Sequence, residues 1–166
     1  MGPTIVSFEE GYMKAKAIFA ALVVSLAAAA VCLADDVFTG TWKLNEAKSK
    51  LSAGMNKNTT ATYEVSGDSV KVTLDGVGAD GKATHDEWTG KYDGKDYPVT
   101  GNPMTDTRAY KKINDHTLEV TGKKDGKVVV TAKITVSADG KTRTVAVTQT
   151  AADGKKSSGT AVYEKQ

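Results

Sequence analysis

The chain has 166 residues, one cysteine, and 22 basic against 20 acidic residues, for a formal net charge of +2. That length suits one domain with a single core. The lone cysteine excludes a disulfide scaffold, and lysines interleaved with acids exclude a basic nucleic-acid face.

The folded protein is not expected to begin at Met1. From Met13 the chain reads Met-Lys-Ala-Lys, then an apolar run from Ala17 to Val31, then Cys32-Leu33-Ala34. A basic start, an apolar stretch and a small-x-small site are the parts of a signal peptide, so residues 13–34 are read as one, cleaved after Ala34. The run is short of the roughly 20 residues of a transmembrane helix. Asp35-Asp36 follows it in place of a basic stop-transfer cluster. The alternative, acylation of Cys32 as a new N-terminus, would want a small residue where Val31 stands. Glu9-Glu10-Gly11 can be encoded by a purine-rich ribosome-binding stretch just upstream of the Met13 codon, so residues 1–12 are expected to be an over-extended frame of a bacterial gene. Removing residues 1–34 leaves a mature domain, 35–166, with its net charge unchanged and no thiol. A periplasmic or secreted monomer with no stable membrane insertion after cleavage is the expectation.

Beyond residue 36 the apolar residues recur every second position, the period of a strand with one buried face. Phe38, Trp42 and Leu44 are followed by Ala61, Tyr63 and Val65, then Val70, Val72 and Leu74. Later come Trp88 and Tyr92, Leu118 and Val120, the series Val128 to Val136, Val145 and Val147, and finally Ala161 and Tyr163. Ten strands are predicted: 38–45, 58–66, 69–76, 83–92, 97–100, 105–113, 117–124, 127–137, 142–150 and 157–165. Glu46 to Met55 is the one stretch with room for a helical turn or two. Asp-Gly pairs stand at Asp80, Asp93, Asp125, Asp139 and Asp153, each followed by Lys. Such pairs favour the type I′ turn of a tight hairpin, so successive strands are expected to pair as an antiparallel meander. A ten-stranded sheet with one apolar face and no helix to cover it must close into a barrel or fold over as a sandwich.

Gly40-Thr41-Trp42-Lys43-Leu44 on the first strand and Val162-Tyr163-Glu164-Lys165 on the last resemble the calycin superfamily, the lipocalins and fatty-acid-binding proteins, and especially small secreted bacterial lipocalin-like proteins. The resemblance implies an all-β, up-and-down, lipocalin-like β-barrel with little helix, plugged at one end by Gly40 and Trp42. It also implies a small apolar or amphipathic, lipid-like ligand inside. The chain departs from the fatty-acid-binding pattern twice. Glu46 to Lys57 is too short for a helical lid, and the Arg-x-Tyr that meets a carboxylate is Ala161-Val162-Tyr163 here. Neutral ligands are therefore expected to bind at least as well as fatty acids, unless Arg108 or Arg143 substitutes.

No catalytic constellation, metal site or cofactor motif is read. His85-Asp86-Glu87 is the densest group of possible ligands, but strand alternation puts only His85 and Glu87 on one side, and a solvated strand end is expected. Ser157-Ser158-Gly159 lacks a nucleophile elbow, and no glycine-rich loop precedes a helix. The candidate ligand-binding residues are Tyr63, Trp88, Tyr92, Arg108, Tyr110, Arg143 and Tyr163. The aromatic ones either line a cavity or interlock as core, and the two arginines point inward near a mouth or lie on the rim. Two functions are carried forward. One is an exported carrier of a small ligand, marked by an enclosed pocket of roughly 300 Å³ or more. The other is a filled barrel that acts through its surface as an envelope-associated interaction protein or inhibitor.

Overall fold

The computed structural model describes residues 36–166 and Gly2. The expected leader, its cleavage site, the 1–12 extension and Cys32 lie outside the described residues. Eleven strands run through the described part: β1 Gly40–Leu44, β2 Lys50–Leu51, β3 Lys57–Ser66, β4 Ser69–Val77, β5 Ala83–Gly90, β6 Tyr97–Thr100, β7 Thr107–Asn114, β8 Thr117–Lys124, β9 Lys127–Val136, β10 Thr142–Thr150 and β11 Lys156–Lys165. All ten predicted strands are present, with ends within a few residues.

From β3 to β11 each strand pairs antiparallel with the next, and β1 pairs with both β3 and β11, which closes the sheet into an up-and-down barrel. This is the architecture the calycin resemblance implies. β2 pairs with Gly159 and Thr160 on the same edge of β11 whose far end, Tyr163 to Lys165, pairs with β1. The two short strands are therefore one stave, broken between them. The break is a single 3-10 turn, Glu46–Lys48, in the stretch read as having room for helix. Asn45 caps it by accepting from the Lys48 backbone N–H at 3.1 Å. The Ser49 hydroxyl accepts the Val162 N–H at 2.9 Å, so the gap in the stave leaves no orphaned donor there.

The inward faces form one core, from Phe38 and Trp42 through Ala61, Tyr63, Val72 and Leu118 to Ala161 and Tyr163. The outward faces carry Thr, Lys, Asp and Glu, for example the cross-strand row Thr121, Thr131, Thr148 and Ser158. No helix among the described residues is long and apolar enough to cross a membrane.

The turns correct one detail of the sequence reading. Only Asp125-Gly126 has positive φ at both positions, 49° and 73°, as a type I′ turn requires. At Asp80, Asp93, Asp139 and Asp153 only the glycine is left-handed, and the aspartate accepts the backbone N–H of the lysine two residues on. Three of these are longer connections in which the glycine N–H closes back on the third residue before it. The Asp-Gly-Lys motif is thus mostly an Asx turn followed by a left-handed glycine.

Candidate functional site

Both arginines face the barrel interior, which resolves the alternative left open by the sequence. Arg108 on β7 is 7% exposed and Arg143 on β10 is 2% exposed. Strand alternation puts them on the same inward face as Tyr110, in the core, and Val145, half-buried against it.

Arg108 is neutralised within the chain. Its NH1 and NH2 donate to the two oxygens of Asp86 at 3.0 and 3.2 Å, and the Asn102 amide donates to the second of these at 2.7 Å. The Trp88 indole donates to the Arg108 carbonyl at 2.8 Å, fixing the strand that carries the guanidinium. Asp86 was not singled out from the sequence. The signal was there, because Asp86 precedes Trp88 by two and must share its face. His85 and Glu87 lie outside as expected, paired with Asp75 and Lys71. Among the described residues no cluster of three potential metal ligands exists.

Arg143 has no such partner. Its Nε and NH1 are buried without a hydrogen-bond acceptor. The guanidinium stands 4.6, 5.0 and 5.5 Å from the ring centres of Tyr163, Tyr63 and Trp42. Tyr163 faces it directly across the β10–β11 ladder. Arg143 thus stands beside Tyr163 from the neighbouring strand, and position 161 is alanine. Burial pushes the phenols of Tyr92, Tyr110 and Tyr163 above their ordinary range, so all three stay protonated and none is a counter-ion.

A cavity of about 120 Å³ opens inside the barrel. Of the seven candidate residues, Tyr63, Arg108, Tyr110, Arg143 and Tyr163 line it. Trp88 and Tyr92 do not. Trp88 is 1% exposed and packs edge-on against Tyr97 and tilted on Tyr110, while Tyr92 packs against Phe38 and Tyr110. These large rings fill volume that a smaller side chain would leave open. The lining residues not among the candidates include inward strand residues such as Asp86, Leu74 and Ile134, and others from loops and the broken stave, among them Leu51, Asn56, Asn102, Met104 and Thr105. Loop residues have no periodicity to place them.

Gly40 and Trp42, the residues expected to plug the barrel, lie on β1. Trp42 is fully buried, is absent from the cavity lining, and donates its indole N–H to the Phe38 carbonyl at 2.9 Å. Gly40 has φ of +110°, and a Cβ there would stand 3.0 Å from Cε of Lys165, whose ammonium lies 5.3 Å from the centre of the Trp42 ring. A side chain at position 40 would meet both strain and crowding.

No protein-family model matches the chain, and none of the curated proteins does. Solved structures do show similarity. A redesigned β-barrel, mFAP1, bound to DFHBI is 14% identical over 78% of this chain and 95% of its own, with a TM-score of 0.43. Lobster apocrustacyanin A1 is 13% identical over 80% of this chain, which spans 62% of the crustacyanin's length, with a TM-score of 0.42. At that level of similarity the fold assignment rests on the strand register of this chain itself.

Proposed function

We propose that the chain is an exported binding protein, not an enzyme, that takes one small amphipathic molecule into its barrel. The observation that carries this is the interior cavity, whose wall is divided between aliphatic side chains such as Val120 and Ile134 and polar ones such as Asn102, Thr105 and Arg143, so that it can meet both parts of an amphipathic molecule. Its size narrows the earlier expectation. At about 120 Å³ it falls below the range of roughly 300–1,000 Å³ for drug-sized ligands. It is closer to the engineered cavity of about 150 Å³ that admits benzene. A compact molecule fits the barrel as it stands. A long-chain lipid would need the loop at Asn102 to Thr105 to swing away, against the hydrogen bond that ties Asn102 to Asp86.

Titration with straight-chain alcohols of increasing length, followed by tryptophan fluorescence, tests the reading. Saturable binding by short members that fades with length is expected, and no binding by any member would overturn it. Export is checked on the same protein from its own source, where intact mass should place the N-terminus at Asp35. A second reading, action through the outer surface, has one observation in its favour. A shallow depression of about 680 Å³ lies over the outer face of β8 to β11, floored by threonines with Lys50, Glu119 and Lys133 around it.

A further inference from the structure

We propose that the molecule held in the barrel is a compact organic monoanion, a carboxylate on an apolar body about the size of a benzene ring, with its charge met by Arg143. This rests on the reading of the barrel as a receptor and adds the charge and size of what it receives.

Three charged residues line the cavity: one carboxylate, Asp86, and two guanidiniums, Arg108 and Arg143. Asp86 spends both oxygens on Arg108, and Asn102 takes a further position on one of them, so this pair is closed. One positive charge remains. The Tyr63, Tyr163 and Trp42 rings stabilise it through their faces, but such contacts offset only part of the cost of burying an unpaired ion. Nε and NH1 are left without an acceptor. The Thr105 hydroxyl, also buried and also without a partner, lines the same cavity. Two unsatisfied groups on one small cavity, one cationic and one able to donate, are complementary to a single carboxylate. A neutral ligand would leave the charge uncompensated, and a dianion would bring one charge too many. The volume sets the size of the body, as above.

The test uses three probes that share a ring: benzoate, benzamide and phthalate, titrated into the purified protein at constant ionic strength and followed by tryptophan fluorescence. Benzoate should bind at least about tenfold more tightly than benzamide, as a charge-assisted contact in a dry site requires. Phthalate should bind more weakly than benzoate. In Arg143→Met the preference for benzoate should vanish while benzamide binding remains. That variant keeps a long side chain and removes an unpaired buried charge, so its thermal midpoint should equal or exceed that of the unmodified protein. As a readout that needs no variant, benzoate should raise the midpoint of the unmodified protein more than benzamide at equal concentration. Equal affinity for benzoate and benzamide would overturn the anion proposal and leave the receptor reading standing. Binding of none of the probes would overturn both. Phthalate binding as tightly as benzoate would overturn the one-charge count, and a benzoate preference surviving in Arg143→Met would overturn the assignment to Arg143.

Discussion

Trp42 and Trp88 are 0% and 1% exposed, and each donates its indole N–H to a main-chain carbonyl. A plug role for Trp42 alone would make its loss much the worse of the two. Equal burial argues instead that Trp42→Ala and Trp88→Ala each cost about 3–5 kcal/mol, read as similar drops in urea midpoint. The interior charges separate more sharply. Asp86→Asn leaves Arg108 buried without its counter-ion and should destabilise by about 3–5 kcal/mol in the same measurement, because the desolvation cost stays when the attraction goes. Arg143 has no counter-ion to lose, and so its removal should not lower the midpoint. The contrast was not legible beforehand. Counting outward from a two-residue turn at Asp153-Gly154 opposes Arg143 to Glu164, and only the longer turn, closed by the Ala151 N–H on the Lys155 carbonyl, shifts the register by one and brings Tyr163 there. Asp86 and Arg108 sit on strands that β6 separates, and no local count brings them together.

At the scale of the element, the Asp-Gly-Lys turns work as carboxylate caps and so depend on pH. The backbone N–H of Lys82 holds the Asp80 carboxyl below its ordinary value, and that of Lys95 does the same for Asp93. The Ser137 hydroxyl, then the Lys141 N–H, lower Asp139. A carboxylate whose folded pKa lies below its unfolded value of about 3.9 stabilises fully above that value, and the contribution is lost as pH falls through the folded one. Urea midpoints should therefore hold between about pH 5 and 7 and fall below about pH 4, and Asp80→Ala should show a shallower fall. His85 runs the other way. Its hydrogen bond to Asp75 raises its pKa, so that contribution is present below about 6.5 and lost as pH rises through the folded value. Both partners are exposed, and the effect should be small beside the acid limb.

For the whole molecule the decisive contact is the one between the first and last strands, where Trp42, Lys43 and Leu44 pair with Lys165, Glu164 and Tyr163. Pairing across most of the domain's sequence carries a high loop-closure cost, so folding should take on the order of milliseconds to seconds. Deleting residues 162–166 removes this seam. The full barrel should unfold with coincident transitions by tryptophan fluorescence and far-ultraviolet circular dichroism, whereas the truncated chain should lose that coincidence.

What the sequence determined by itself was the set of strands, their order and their inward faces. A period of two marks a half-buried strand, and closely spaced Asp-Gly turns permit little besides a meander. The short strand at Lys50–Leu51 escaped it, because two residues carry no period. Which inward residues line a space and which fill it was decided only by the tertiary structure. A cavity of about 120 Å³ is a small difference between the volume a closed barrel encloses and the summed volume of the side chains pointing into it. That difference depends on how Trp88, Tyr92 and Tyr110 lean on one another and on where the Asn102 loop is tied. The spare charge at Arg143 has the same origin, since it exists only because Asp86, the carboxylate lining the same cavity, is already held by Arg108.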